Sequence, residues 1–237
     1  MEENFENTNN SDDLMIKAES MLNEKNATFH DIEDFEQAAE YFLEDLQLEH
    51  TLIIIKKGLN QYPDSPNLLM MLCEYEFLNG NKTKALTTMK NIVDVHPYNI
   101  EYLLEFANLN ARIGNSEKAI EIYESALSFE LEDRESVLMD IVFECQRLQD
   151  FQKALNYLKQ AIETSPDNEM ILFEMGISYG ELSLEKEAIQ FFKDYLDYNP
   201  YSYVAWFNLG STYAKLGKNK KAVFAFDYSI VTNEYFP

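Results

Sequence analysis

Apolar residues recur along this chain at alternating spacings of three and four, which is the spacing of one face of an α-helix. Between residues 169 and 180 one such stripe contains Leu172, Met175 and Tyr179, and a second stripe lies between residues 187 and 198. A short polar stretch separates the two stripes and is typical of a turn. The pattern predicts two helices joined by a short connection.

This two-helix pattern recurs about every 34 residues. Asn199-Pro200 ends the second stripe, because the residue before a proline avoids the helical region of backbone conformation. One of the periods is 35 residues long, and we place its extra residue in the acidic loop around residues 130–133. Alanines mark the period at spacings of 34, 35, 34 and 34, at Ala85, Ala119, Ala154, Ala188 and Ala222.

The last period contains Trp206-x-x-Leu209-Gly210-x-x-Tyr213, followed by Ala222-x-x-x-Phe226. This pattern resembles the tetratricopeptide repeat (TPR), which has a period of 34 residues. The resemblance covers all but about the first 31 residues. It implies an all-α fold, an α-solenoid in which antiparallel helix pairs form a right-handed superhelix. Because each pair buries its apolar face against its neighbours, we expect one continuous solenoid rather than two globular domains.

The period also predicts the boundaries of the domains. We expect residues 1–31 to be an acidic N-terminal tail. A capping helix is expected in it from the apolar residues Leu14, Ile16, Ala18, Met21 and Leu22. We expect residues 32–236 to be the TPR domain. Its six repeats are predicted at about 32–65, 66–99, 100–134, 135–168, 169–202 and 203–236.

The charge of the chain excludes some classes of partner. There are 42 acidic and 19 basic residues, a formal net charge of −23. A chain this acidic repels phosphate groups, so neither nucleic acid nor an anionic membrane is an expected partner. Residues 1–65 contain 16 acidic and 4 basic residues, so about half of the excess charge lies in the first quarter.

The sequence contains no pattern typical of catalysis or of cofactor and metal binding. Cys73 and Cys145 are far apart, and neither belongs to a metal-binding spacing. Both occupy helix positions where small buried residues are expected. We therefore predict a protein that is not an enzyme and needs no cofactor. The acidic, polar start Met1–Phe5 and the absence of a long apolar run predict a cytoplasmic location.

The resemblance implies a binding surface. In TPR proteins the first helix of each pair, helix A, lines a concave groove that holds peptide segments. The groove positions are the second, fifth, ninth and twelfth of each repeat, and along this chain they change from carboxylates to apolar side chains. The candidate partner-binding residues are Glu36, Glu40, Met70, Phe77, Leu104, Asn108, Met139, Phe143, Phe173, Ile177, Phe207 and Ser211.

These positions predict a scaffold or adaptor that binds a protein or peptide segment. The segment is expected to be amphipathic or apolar. The acidic end has two interpretations: it either docks a basic part of the segment or serves only to keep the protein soluble. Three alternatives stay open. In the first, some groove residues pack between successive A helices and bind no partner. In the second, the protein shields an apolar client as a chaperone does. In the third, the chain is the regulatory N-terminal part of a larger protein. A carboxylate clamp is not expected, because the second and third repeats lack the basic residues it needs apart from Arg112.

The last predicted helix has no polar cap after it. It contains Val223, Phe224 and Ile230, and the sequence ends at Pro237. Since terminal repeats need a polar outer face, we expect either that the native chain continues past Pro237 or that this end is buried by self-association.

Overall fold

A computed structural model describes residues 14–23 and 28–233. Within these ranges the chain forms α-helices and no β-strand. The fold is an all-α solenoid of paired helices, as the sequence predicts. Helix α1 covers residues 14–23. The helices that follow are α2 (Ile32–Glu44), α3 (Leu48–Gln61), α4 (Pro66–Leu78), α5 (Lys82–Val95), α6 (Ile100–Ile113), α7 (Ser116–Ala126), α8 (Arg134–Arg147), α9 (Phe151–Thr164), α10 (Glu169–Glu181), α11 (Glu185–Tyr198), α12 (Tyr203–Lys215) and α13 (Asn219–Thr232).

The even-numbered helices from α2 to α12 are the A helices, and the odd-numbered ones from α3 to α13 are the B helices. Each A helix ends in the same turn. In this turn, one residue just after the helix has a positive φ. The N–H of the residue that follows it donates to the carbonyl five positions earlier, as the Asp150 N–H does to the Cys145 carbonyl at 2.8 Å. This is the Schellman arrangement, which supplies a donor to the otherwise unpaired carbonyls at a helix end. The residues of positive φ are Leu46, Gly80, Gly114, Gln149, Ser183 and Gly217.

The connection between α7 and α8, residues 127–133, is the longest from a B helix to the next A helix because α7 ends early, whereas the single 35-residue spacing separates the starts of α8 and α10. The other connections from a B helix to the next A helix are shorter, as at 165–168 and 199–202. The acidic loop chosen from the sequence lies in this connection. The count of six repeats and their boundaries stay predictions.

The chain divides into two compact units, Met1–Leu109 and Asn110–Pro237. The core of the first unit contains Phe35, Ile54 and Leu68 from α2, α3 and α4. Ala18 and Met21 of α1 are buried in the same cluster, so α1 packs on the first helix pair. Its apolar stripe therefore covers a surface that the pair could not bury alone.

Helices of the second unit are tied together by side chains that reach backbone carbonyls of the preceding A helix. Arg147 donates to the Ala111 carbonyl at 2.7 Å, and Lys215 donates to the Gly180 carbonyl at 2.7 Å. The core of this unit contains Leu172 and Phe192, which are fully buried. Basic side chains at the ends of α8 and α12 thus supply donors to the negative ends of neighbouring helices.

A serine at the start of α12 makes a second kind of tie. The Ser202 hydroxyl accepts from the Ala205 N–H at 3.1 Å, which caps the helix. The same hydroxyl donates to the Glu169 carboxylate of α10 at 3.0 Å. One residue therefore begins a helix and joins it to the preceding A helix.

Candidate functional site

Helix α10 carries apolar side chains on two sides. Leu172 and Met175 face the core and are fully buried, whereas Met170, Phe173 and Ile177 are exposed. A helix that only packs against its neighbours needs one apolar stripe. The second stripe is therefore apolar surface that the described part of the chain covers only in part.

A cavity of about 340 Å³ lies between α10 and α12 in the second unit. Phe173 and Phe207 line it and are each 43% exposed. The Phe207 ring rests on Phe226 of α13, with ring centroids 5.8 Å apart. The lining residues are Glu169, Met170, Phe173, Tyr203, Val204, Phe207 and Ser229. We call this the apolar cavity.

One carboxyl group borders the apolar cavity. Burial raises the pKa of Glu169, although the hydrogen bond from Ser202 opposes the shift. Its tie to α12 orients the carboxylate. The cavity thus combines an apolar floor with one carboxylate at its edge.

The structure separates the predicted groove residues of the second unit. It brings Phe173 and Phe207 together in the apolar cavity. Phe143 and Ile177 are exposed on α8 and α10 outside the lining, and Ser211 is half-buried. Met139 is only 7% exposed and lies with the core of α8, so its position in the period does not make it an accessible contact.

The first unit has a cavity of different chemistry between α2 and α4. Its volume is about 320 Å³, and it brings together the predicted residues Glu36, Glu40 and Met70. The Ser65 hydroxyl, which caps α4, lies 3.5 Å from the Glu36 carboxylate. The lining residues are Glu33, Glu36, Gln37, Glu40, Asn67, Met70 and Met71. We call this the acidic cavity.

The remaining candidates of the first unit line neither cavity. Phe77, Leu104 and Asn108 are half-buried. Phe77 and Asn108 each make contacts of their own within the chain. Phe77 and Asn108 are therefore engaged within the chain, and Leu104 is partly covered by its neighbours.

Sequence periodicity missed several residues that line the apolar cavity. Glu169, Tyr203 and Ser229 do not occupy the groove positions of the TPR pattern, and Ser229 belongs to a B helix. Glu169 and Tyr203 each begin an A helix. Including the first position of each A helix among the groove positions would have identified Glu169 and Tyr203 from the sequence.

The two cysteines are buried, as the sequence predicts. Burial raises the pKa of the Cys73 thiol to about 12 and that of the Cys145 thiol to about 11. A nucleophilic cysteine needs a lowered pKa and access to solvent. Both thiols are therefore packing groups.

Residues 14–23 and 28–233 contain no group of three histidine, cysteine or acidic side chains arranged to hold a metal ion. No helix of these residues has the length and apolar character needed to cross a membrane.

Family models described as tetratricopeptide repeat match residues 100–133, 137–168 and 191–224. No curated protein matches the sequence significantly. Among solved structures, a tetratricopeptide repeat protein from Parabacteroides merdae ATCC 43184 aligns with a TM-score of 0.58 at 19% identity, over 86% of this chain and 80% of its own.

Two further structures are similar. YrrB, described as a TPR protein with an unusual peptide-binding site, aligns with a TM-score of 0.53 at 18% identity, over 76% of this chain and 93% of its own. MamA from Desulfovibrio magneticus RS-1 aligns with a TM-score of 0.54 at 15% identity, over 71% and 95%. At these identities the likeness is one of fold. With its paired helices, its 34-residue period and the three matched repeats, the chain belongs to the tetratricopeptide repeat family.

Proposed function

We propose that this protein is a non-enzymatic scaffold or adaptor that binds a protein or peptide segment along its A helices. The observation that carries the proposal is the apolar cavity, where Met170, Phe173 and Phe207 are exposed around one concave surface. Exposed apolar side chains grouped in a concavity are typical of binding sites.

The energetics favour an apolar anchor in this cavity. Transfer of one large apolar side chain from water into such a site contributes about 1.5–3 kcal/mol. Met170 adds an adaptable wall, since methionine has three rotatable bonds and a polarisable sulfur. Glu169 at the edge can accept a hydrogen bond from the bound segment, which would fix its direction. The peptide-binding site of YrrB is a precedent for this use of the fold.

The acidic cavity supports the second part of the proposal, a basic side chain in the partner. Glu33, Glu36 and Glu40 are the carboxylates that line it, and Met70 and Met71 form its apolar wall. A lysine or arginine can place its aliphatic stem against the methionines and its charge beside the carboxylates. The expected partner is therefore amphipathic, with apolar and basic side chains.

An amphipathic basic peptide tests the proposal directly. We would titrate the fluorescein-labelled peptide LKKLLKLLKKLLKL with the protein at about 0.15 M salt, where long-range attraction is largely screened, and follow anisotropy. Phe173→Ser with Phe207→Ser should weaken binding by about tenfold or more, because the cavity loses the two phenylalanine rings that would contact the apolar side chain of the peptide. Val95→Ser is the matched control, since Val95 is exposed in the first unit and lines no cavity described above.

Circular dichroism melting shows whether each variant folds. If the double variant melts at a lower temperature but binds with unchanged affinity per folded molecule, Phe173 and Phe207 only pack and the proposal is wrong. A peptide in which serine replaces every leucine measures the contribution of charge alone. Equal affinity for that peptide would also contradict an apolar anchor.

Helix α13 supports a second candidate function, self-association. Val223, Ile230 and Val231 are exposed on it, Val231 to 79%. Burial of such side chains against a second copy would be favourable. Sedimentation equilibrium should then show concentration-dependent dimers that Ile230→Glu with Val231→Glu abolishes. A monomer at all concentrations would exclude it.

A further inference from the structure

A second cleft in the Asn110–Pro237 unit lies between α11, α12 and α13. Its volume is about 470 Å³, and it shares no lining residue with the apolar cavity. Its walls are aromatic and aliphatic, and its rim is basic. The lining includes Lys193, Asp197, Trp206, Lys220, Lys221 and Phe224. We call it the basic aromatic cleft.

Lysines at the rim of this cleft form no ion pair with a carboxylate of the described residues. Other lysines of the unit form ion pairs, such as Lys153 with Glu124 at 2.8 Å and Lys215 with Glu185 at 3.1 Å. For Lys193, Lys220 and Lys221, no carboxylate oxygen of the described residues lies within 4.0 Å. In a chain of net charge −23, these three lysines form a local patch of positive charge that a negatively charged ligand can pair with.

Two of these lysines stand at an unfavourable place for helix stability. Lys220 and Lys221 lie in the first turn of α13, which has no acidic residue and no side-chain cap. The N-terminal end of a helix carries partial positive charge and favours anions. Cations here therefore destabilise the helix while they raise the positive potential at the cleft. A local choice that opposes the fold often marks a functional position.

The apolar wall of the cleft is held in place. The Trp206 indole donates to the Pro200 carbonyl at 2.8 Å and stacks on Tyr228, with ring centroids 4.8 Å apart. Phe224 meets the same indole edge-on at 6.2 Å. Lys221 lies 5.4 Å from the Tyr213 ring centroid, within the range of a cation–π contact.

We propose that the basic aromatic cleft binds an acidic segment of a partner protein, in which carboxylates flank a large apolar or aromatic side chain. That side chain fills the space beside Trp206 and Phe224, and the flanking carboxylates pair with Lys193, Lys220 and Lys221. The charges at the rim decide the sign of the ligand, because three lysines face only one acid, Asp197.

The length of the ligand's negatively charged chain distinguishes a peptide from a nucleic acid. At about 0.15 M salt the Debye length is about 8 Å, so a short acidic segment responds mainly to the lysines that it touches. A long phosphate backbone would instead run along a chain that carries 42 acidic residues and would be repelled. The cleft therefore fits a short acidic segment.

The only tryptophan of the chain lies in this cleft, which provides a local readout. We would titrate the protein with the peptide acetyl-EDEFEDE-amide at about 0.15 M salt and record Trp206 fluorescence. A saturable change is expected. Replacement of the peptide phenylalanine by alanine should weaken binding, and replacement of its acids by lysines should abolish the change.

Charge reversal at α13 separates binding from helix stability. Lys220→Glu with Lys221→Glu places acids at the N-terminal end of the helix, which offsets the loss of the Lys221–Tyr213 contact, and circular dichroism melting checks that the variant stays folded. Peptide affinity should nevertheless fall by about tenfold or more. The matched control is Lys90→Glu with Lys159→Glu, which changes the net charge equally at exposed positions outside the cleft and should alter affinity by less than about twofold.

Several results would overturn the proposal. Equal losses in the two double variants would show attraction to overall charge alone. Binding detected by anisotropy of a labelled peptide without any change in Trp206 fluorescence would place the peptide elsewhere. If light scattering shows that the peptide displaces a second copy of the chain, the cleft is an interface between copies. Phe173→Ser with Phe207→Ser should leave this binding unchanged, so the two proposed sites fail or succeed independently.

Discussion

Asn208 shows how one side chain constrains another helix. Its amide donates to the Leu172 carbonyl of α10 at 2.8 Å and is buried between α10 and α12. The space it occupies exists because residue 176 has no side chain. A Cβ atom at Gly176 would lie 2.2 Å from the Asn208 amide oxygen, which is too close for two non-bonded atoms.

Gly176→Ala should therefore lower the free energy of unfolding by about 1–3 kcal/mol, the usual cost of overpacking a filled core. Gly180→Ala is a control in the same helix, because a Cβ there would have no neighbour within 4 Å. That variant should be more stable by about 0.5–1 kcal/mol, since alanine favours a helix over glycine. Urea unfolding measures both, and equal effects would contradict the proposed packing.

The buried thiols predict a pH dependence. The thiols of Cys73 and Cys145 have native pKa values of about 12 and about 11, against an ordinary value of 9.0. As pH rises above 9.0, the unfolded chain therefore loses these protons before the native state does. Their contribution to stability is complete below this pH and is lost as pH rises through the native pKa values.

Unfolding in urea at a series of pH values from neutral to about 11 tests this linkage. Stability should fall less steeply with pH in Cys73→Ala with Cys145→Ala than in the native sequence. Lysines and tyrosines also titrate in this range, so the difference between the two proteins is the quantity to compare. Parallel curves would mean that the thiols are accessible in the native state.

At the scale of the element, the turn between the helices of a pair is the most regular feature of the fold. Three of its six positive-φ positions in the described residues are glycine, and three are Leu46, Gln149 and Ser183. A non-glycine residue in this conformation costs about 1–2 kcal/mol because its Cβ approaches the next carbonyl oxygen. Packing of the two helices holds these residues there.

Gln149→Gly and Ser183→Gly should each stabilise the protein, by about 0.5–1 kcal/mol after the greater entropy of glycine in the unfolded chain is included. Gly217→Ala should have the opposite sign, because its φ of 68° becomes strained. Midpoints of urea unfolding give the comparison. A loss of stability in either glycine variant would argue against the left-handed turn.

The sequence predicted the turns but not their conformation. A shared hydrophobic period places Gly80 and Ser183 at equivalent positions, yet only the glycine signals a positive φ by its identity. The same limit applies to the candidate site. Met139, Phe173 and Phe207 are equivalent in the period, but Met139 is buried and the two phenylalanines are exposed. Burial of each depends on side chains from other helices, which the period does not encode.

For the whole molecule, the dominant long-range force is self-repulsion by the net charge of −23. Like charges destabilise a compact chain, and salt screens them. The melting temperature should therefore rise as NaCl is increased from about 0.01 M to about 0.3 M, where the Debye length falls from about 30 Å to below 10 Å.

The control for this prediction is KCl at the same concentrations, because screening depends on ionic strength rather than on the identity of the cation. Melting followed by circular dichroism should give the same curve in both salts. A melting temperature that stays constant or falls would show that self-repulsion is not a principal cost of folding. Transitions broader than two-state are expected, since the chain has two compact units.

The helices, their pairing and the family follow from the sequence alone. These depend on the three-four spacing of apolar residues, on small residues such as Gly210 and on the 34-residue period, all of which act between near neighbours in the chain. Which apolar residues are accessible, and where cavities form, depends on the packing of the whole fold. The basic aromatic cleft joins Lys193, Trp206 and Lys221 from three helices. Such a site depends on how separate helices pack, because accessibility is a property of neighbours in space rather than in sequence.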